Sequence, residues 1–359
     1  MAMTLDELLR RAVESHASDI HLKVGSPPVI RVDGELKRME DLPSLRPKDT
    51  EAIAQSIFTP RAEETFNATN EVDFAIGRQD LGRFRVNAYR QRGSVSVVMR
   101  RVVPGVPTLE RLGLPPIVRK LTTESKGLVL ITGPSGSGRT TSLAAMVEHI
   151  NASRPVSIVT IEDPIEVLFP DKVGVVTQRE VGVDTVSYSE AIRRAMRQDA
   201  DVIMLSEIVD GETAQAAIGA AETGHLVLAA MHTADPADTI ERFVNFYPTS
   251  LQSTARSQLG AYLKAIISQR LIDSTNGGRV MAAEVLTGNN RIAELVNAGA
   301  KADAFVEMMR ESEFFGMQTF DQAVLNLVKE QRVAVPTALP FVRNSHEFRA
   351  KAMEAGIEV

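Results

Sequence analysis

A chain of 359 residues, 44% hydrophobic and 24% charged, is long enough for two or three domains and has the composition of an ordinary globular protein rather than a disordered or coiled-coil one. A formal net charge of −6 gives no whole-chain basic signature, which argues against nucleic acid as a partner. No apolar run approaches the roughly 18 residues of a membrane-spanning helix, so no integral membrane segment is expected. Asp6 and Glu7 interrupt the first leucines in a way foreign to a secretory signal, and cysteine is absent, which removes disulfide and thiolate chemistry. Together these features point to a cytoplasmic protein.

The chain opens with helical spacing at Leu5, Leu8, Leu9, Ala12 and Val13, preceded by Thr4 and Glu7 at capping-box separation. The period then changes to two. Ile20, Leu22 and Val24 alternate with polar neighbours, and Val29 to Val32 meets Glu35 to Met39 across Asp33-Gly34, a strong hairpin signal. A helical stretch near Thr50 to Ile57 precedes two further strand-like runs, Arg83 to Tyr89 and Val95 to Arg100. Residues 1–103 therefore read as a small α+β domain. Pro104, Pro107, Pro115 and Pro116, with Gly105 and Gly113 among them, mark 104–116 as a semi-rigid linker.

From 117 to 359 the pattern is α/β. Apolar runs at Leu128 to Ile131, Val156 to Ile161, Val202 to Leu205 and Leu226 to Met231 fit parallel strands buried on both faces, with helical periodicity between them at Leu143 to Ile150 and Ser189 to Arg197. The last 70 or so residues read as helices only.

Chemistry gathers at the ends of these runs. Gly133-Pro134-Ser135-Gly136-Ser137-Gly138-Arg139-Thr140-Thr141 is a P-loop pattern between an apolar strand and a helix. Its glycines let successive backbone N–H groups turn toward a phosphate, the helix start adds its dipole, and Thr140 stands where a hydroxyl ligates Mg²⁺. Arg139 replaces the usual lysine. The exchange keeps the positive charge and alters the shape of the group that positions the terminal phosphate, so reduced hydrolysis is the property to test. Glu162-Asp163-Pro164-Ile165-Glu166 follows the second run and Ser206-Glu207 the third. Ligands of open α/β sheets sit outside the carboxyl ends of the strands, which puts these acids near the phosphates, one for the Mg²⁺ shell and one to orient or deprotonate water. His232, after the fourth run, is a candidate to sense the γ-phosphate, whereas His225, before it, reads as structural.

In Arg83 to Ala88, alternation sets Arg83 and Arg85 opposite Phe84 and Val86, and in Val95 to Arg100 it sets Arg100 opposite Val95, Val97 and Met99. A hairpin of these runs would present Arg85 and Arg100 on one polar face, available as arginine fingers.

Taken together, His16 to Leu22, Arg83 to Asn87, the P-loop, Thr160 to Glu166, Ala221 to Val227, Met231 to Thr233 and Gly316 to Asp321 resemble the successive motifs of the PilT-like type IV pilus retraction ATPases, part of the type II/IV secretion ATPase superfamily. The resemblance covers nearly the whole chain in the family's order. It implies an N-terminal PAS-like domain, a C-terminal RecA-like P-loop domain with C-terminal helices, and a homohexameric ring binding ATP and Mg²⁺. It also implies Glu207 as the catalytic acid and a metal-site residue with Thr140, Glu162 from the aspartate box, His232 from the histidine box, and Arg85 and Arg100 as the arginines that reach the γ-phosphate. The chain departs from the family's pattern at Arg139, at Val209, where the family carries arginine, and in Arg291 to Val296, a faint echo of the signature that supports retraction.

The leading function is then an ATP-hydrolysing hexameric motor for pilus retraction and twitching motility. It would sit at the cytoplasmic side of the inner membrane beside a pilus platform protein, with a paralogous retraction ATPase as a further partner. The alternative is a weakly hydrolysing accessory ring subunit acting with an active paralogue. A nucleic-acid translocase on the same fold is the third reading, disfavoured by the acidic charge.

Overall fold

The computed structural model describes residues 4–102 and 105–357 and divides into two compact units, Met1–Gly105 with Pro164–Val167, and Val106–Asp163 with Leu168–Val359. Pro104, the expected first linker residue, lies outside the described residues, as do the ends of the two expected domains at 1–3, 103 and 358–359.

The first unit is built on six strands, β1 (Asp19–Leu22), β2 (Val29–Val32), β3 (Glu35–Arg38), β4 (Glu71–Arg78), β5 (Gly82–Gln91) and β6 (Ser94–Val102), in the order β3-β2-β1-β6-β5-β4. Every neighbouring pair is antiparallel. Asp33 at φ 52° and Gly34 at φ 85° both take the left-handed conformation that a two-residue hairpin needs, so the Asp-Gly signal forms the β2–β3 turn. Three helices, α1 (Leu5–Glu14), α2 (Pro47–Ile57) and α3 (Pro60–Thr69), share one apolar core with the sheet. Thr4 caps α1 by accepting the Glu7 amide at 3.3 Å. In β5, Phe84, Val86 and Ala88 are buried while Arg83, Arg85 and Asn87 between them are half-buried, the alternation of a sheet covered on one face.

The second unit holds β7 (Gly127–Thr132), β8 (Ser157–Glu162), β9 (Val175–Glu180), β10 (Val202–Leu205), β11 (Leu226–Met231), β12 (Leu263–Asp273) and β13 (Arg279–Thr287), ordered β13-β12-β7-β11-β10-β8-β9. All neighbours are parallel except β12 with β13. All six residues of β7 and of β11 are buried. Leu128 and Leu130 join a core with α6 (Tyr188–Ala195), α7 (Gly211–Glu222), α8 (Pro236–Asn245) and α9 (Gln252–Tyr262), so by alternation Val129 and Ile131 face the opposite side. The helix after the P-loop, α5 (Arg139–Ser153), packs on β7 and β11 with Leu143, Met146, Val147 and Ile150 buried. The short α4 (Ile117–Leu121) precedes β7. The tail is helical as expected: α10 (Asn290–Ala298), α11 (Ala302–Glu311), α12 (Phe320–Lys329), α13 (Val335–Ala338) and α14 (Ser345–Glu354).

Strands β9, β12 and β13 are additions to the sequence expectation. The β12–β13 hairpin extends the sheet on the far side of β7, which places the P-loop strand between β11 and β12. No described helix is long and apolar enough to cross a membrane.

Candidate nucleotide site

Parallel registry aligns the carboxyl ends of the central strands. Thr132 is level with Met231, Leu205 with Ala229, and Leu205 also with Ile161. The residues that follow these strands, Gly133, His232, Ser206-Glu207 and Glu162-Asp163, therefore converge on one edge of the sheet. His225 stands at the opposite end of β11, where its Nδ1 lies 3.0 Å from the Ala220 carbonyl, the structural role read from the sequence.

The loop from Gly133 to Gly138 depends on three glycines at positive φ: Gly133 at 145°, Gly136 at 77° and Gly138 at 90°. Gly133 also has no room for a side chain, since a Cβ there would lie 2.3 Å from the Gln269 carbonyl oxygen and 2.6 Å from Ser137 Oγ. Gly138 is the N-cap of α5, and its carbonyl accepts the Ser142 amide at 2.9 Å. Thr140 and Thr141 occupy the first turn, Thr140 half-buried and Thr141 exposed. The fit to a phosphate group rests on this glycine-built cradle at a helix N-terminus and on Ser137, whose buried Oγ finds no hydrogen-bond partner among the described residues.

One support of the loop escaped the sequence reading. Gln269 of β12, 1% exposed, donates from Nε2 to the Ser137 carbonyl at 2.8 Å and accepts from Ser142 Oγ at 2.9 Å. Thr132 and Ser268 add a buried hydroxyl pair at 2.7 Å. The available signal was a Ser-Gln pair inside an apolar run, where buried amides require partners.

Arg139 folds back over the sheet edge. Its Nη1 donates to the carbonyls of Gly133 and, at 3.3 Å, Met231, and its Nη2 lies 2.7 Å from His232 Nε2. Burial lowers the Arg139 pKa from its ordinary value and the nearby Glu207 charge works against that shift. Glu207 Oε1 is 3.2 Å from the same His232 nitrogen. Arg139, His232 and Glu207 thus form one cluster at the mouth of the loop.

Glu162 is 2% exposed and is held at the end of β8 by Thr160 Oγ1 at 2.7 Å and Gln178 Nε2 at 3.0 Å. Tyr188 stands over the acids with its hydroxyl 2.6 Å from Ser206 Oγ, which in turn accepts the Asp163 amide at 3.3 Å. Burial pushes the Tyr188 phenol up to about 12, against the Ser206 bond and with help from the charges of Asp163, Glu207 and Glu162, so it stays neutral.

The two arginines expected as fingers lie in the first unit, directly opposite each other on β5 and β6. Like charges across a strand pair repel, and each is matched by a carboxylate. Arg85 Nη1 meets Glu166 Oε1 at 2.6 Å, and Arg100 Nε meets Asp19 Oδ1 at 2.8 Å. Burial would raise the Asp19 pKa, but hydrogen bonds from Arg100 and Ser18 outweigh it and hold the carboxyl below its ordinary value.

A glycine cradle at the end of an interior strand of a mostly parallel sheet, with carboxylates at the ends of β8 and β10, defines a RecA-like P-loop nucleotide-binding protein. Residues 1–333 match the family model described as "Type II/IV secretion system protein". The chain is 40% identical over 326 residues to the "Type IV pilus retractation ATPase PilT" of Pseudomonas aeruginosa, a match spanning 91% of this chain and 94% of that one. It is 37% identical over 348 residues to the "Type IV pilus ATPase PilU" of the same organism, covering 97% and 91%. A crystal structure of the pilus retraction motor PilT with bound ADP superposes with a TM-score of 0.88 at 39% identity, over 97% of this chain and 99% of that one. The chain belongs to the type II/IV secretion system protein family and is PilT-like within it.

Proposed function

We propose that this chain is an ATP-hydrolysing motor for type IV pilus retraction. The observation that carries the reading is the alignment of the P-loop with Glu207 and His232 at one sheet edge, in a chain that matches a pilus retraction ATPase over nine-tenths of its length.

In this reading the backbone N–H groups of Gly136 to Thr140 hold the β-phosphate and the helix dipole of α5 offsets its charge. The Thr140 hydroxyl and the Glu207 carboxylate would hold Mg²⁺, which would supply charge neutralisation of the phosphates. Glu207 Oε accepts the proton of the attacking water and fixes the water's direction. Glu162, held by its bonds to Thr160 and Gln178, orders the site edge. His232 reports the terminal phosphate to Glu207. Arg85 and Arg100 exchange their carboxylate partners for the γ-phosphate in the assembled homohexameric ring, and the energy of that exchange becomes a change of ring shape. The ring works in the cytoplasm at the inner-membrane base of the pilus, against a platform protein.

The specific observation favouring a second reading is Arg139 with its guanidinium turned onto His232. It suits a weakly hydrolysing accessory ring that works with an active paralogue. Complementation separates the two. A piliated strain lacking its own PilT and PilU should recover twitching when given this chain, and not when given the Glu207→Gln variant. Recovery only in the presence of an intact PilT would replace the motor by the accessory ring.

A further inference from the structure

A second cleft lies at the other end of the strands that lead to the P-loop. Leu263 at the start of β12 is level with Leu128 at the start of β7, and Thr287 at the end of β13 is level with Ala265. The cavity lined by Lys264 and Thr287, about 630 Å³, therefore sits at the amino ends of β7 and β12. Along β7 that is roughly 17 Å from Gly133. Its volume is that of a small-molecule site, and the nucleotide chemistry makes no use of it.

Close backbone packing builds the walls. The β13–α10 turn crosses the start of β12 so tightly that a Cβ on Gly288 would lie 1.8 Å from the Leu263 carbonyl oxygen. The Lys264 stem lies over Gly127, where a Cβ would meet its Cγ at 2.5 Å, and its ammonium is 2.8 Å from Glu124. That pairing uses up the negative charge of the lining. Lys120 and Arg291 also line the cavity, and neither has a carboxylate partner among the described residues. Arg291 stands in the first turn of α10, where Asn289 accepts the Ile292 amide at 3.0 Å and leaves the Asn290 and Arg291 amides without an intrahelical acceptor. Ser312, 8% exposed, lines the same space, and its hydroxyl meets only the Met308 sulfur at 3.7 Å, a weak acceptor. A buried hydroxyl so poorly matched, beside two uncompensated cations, calls for an anionic group from outside the chain. On the rim, the exposed Phe315 ring is braced edge-on by Phe314 at 5.6 Å and offers a flat apolar surface.

We propose that this cavity binds a soluble small molecule that carries a phosphate group on an aromatic body, at a site separate from the P-loop. The phosphate meets Lys120, Arg291 and the start of α10, Ser312 donates to it, and the ring lies on Phe315. The inference stands independently of the nucleotide-site reading.

The chain contains no tryptophan, so Phe314→Trp, at a position 95% exposed, makes a single fluorescent reporter beside the cavity. Phenyl phosphate is the probe, titrated into the full-length Phe314→Trp chain with and without saturating ADP and Mg²⁺; inorganic phosphate, phenol and phosphatidylglycerol vesicles are titrated in parallel. Phenyl phosphate should give a saturable response, about tenfold tighter than phosphate or phenol alone and unchanged by ADP. Arg291 is exposed, so its variants keep the fold. Arg291→Ala should weaken the probe about tenfold and Arg291→Glu about a hundredfold. No saturable response, equal affinity for phenyl phosphate and phenol, or affinity indifferent to Arg291→Glu would overturn the proposal. So would a response abolished by ADP, which traces the probe to the P-loop, or one given by vesicles alone, which makes the basic rim a lipid contact.

Discussion

The two sheets of this protein handle charge in opposite ways. In the first unit, arginines stand along the polar face of an antiparallel sheet, and carboxylates neutralise them within it: Asp19 lies in register beside Arg100, and Arg100 beside Arg85. In the second unit the interior strands β7, β10 and β11 are buried on both faces and carry no charge within their length. The charged groups lie past the carboxyl ends, where Arg139, Glu207 and His232 approach one another. A one-faced sheet can place a charge at every second residue, while a two-faced sheet leaves only the strand ends. That constraint concentrates the chemistry of the second unit on one edge, and it also makes the edge sterically unforgiving.

The largest effect expected from this contrast is at Gly133. A Cβ at 2.3 Å from the Gln269 carbonyl, on a residue at φ 145°, can be relieved only by moving backbone. Gly133→Ala should weaken ADP binding by about a hundredfold, roughly 3 kcal/mol, measured by calorimetry. Gly34, also at positive φ but with open space around its Cβ position, should cost the first unit far less when changed to Ala.

Next is Glu284 of β13, a carboxyl buried within the second unit. Burial pushes it up to about 7 and the Asp235 and Asp321 charges add to that, while Arg343, 3.8 Å away, and the Phe320 amide only partly compensate. A carboxyl whose folded pKa exceeds its unfolded value makes the native state bind more protons. Stability should therefore fall as pH rises from about 4.5 to about 7, by on the order of 3 kcal/mol at most. Glu284→Gln should flatten that dependence and raise Tm at pH 8 relative to the wild type. An unchanged pH slope would show that Arg343 already compensates the charge.

The smallest effect is expected at Asp19 in the first unit, whose partner Arg100 is mostly exposed to solvent. Its lowered pKa contributes stability above the ordinary carboxylate value, and that contribution is lost as pH falls through the folded value. Asp19→Asn should speed hydrogen exchange of the β1 and β6 amides by a factor equivalent to about 1 kcal/mol at pH 7, with the difference vanishing in acid.

How far the sequence carried differs between these regions for the same physical reasons. β7, β8, β10 and β11 were legible because strands buried on both faces leave unbroken apolar runs. β12 was not, since Lys264, Ser268, Gln269 and Arg270 interrupt its apolar residues, and neither was β9, a partly exposed polar edge. The P-loop was legible from its glycines. The approach of Glu207 to His232 needed the pairing of β10 with β11, which sequence spacing does not contain. Arg139 could be recognised as an exchange for lysine, but its direction depends on carbonyls at the ends of two strands about a hundred residues apart in the chain.

The central claim is that this edge hydrolyses ATP and that Glu207 is its acid. Steady-state ATPase activity of the purified full-length chain with Mg²⁺, beside Glu207→Gln, tests it most directly. Turnover in the wild type that falls at least a hundredfold in Glu207→Gln, with ADP affinity kept within a few-fold, is the expected result. Equal turnover in the two proteins, or none in the wild type despite tight ATP binding, would contradict it.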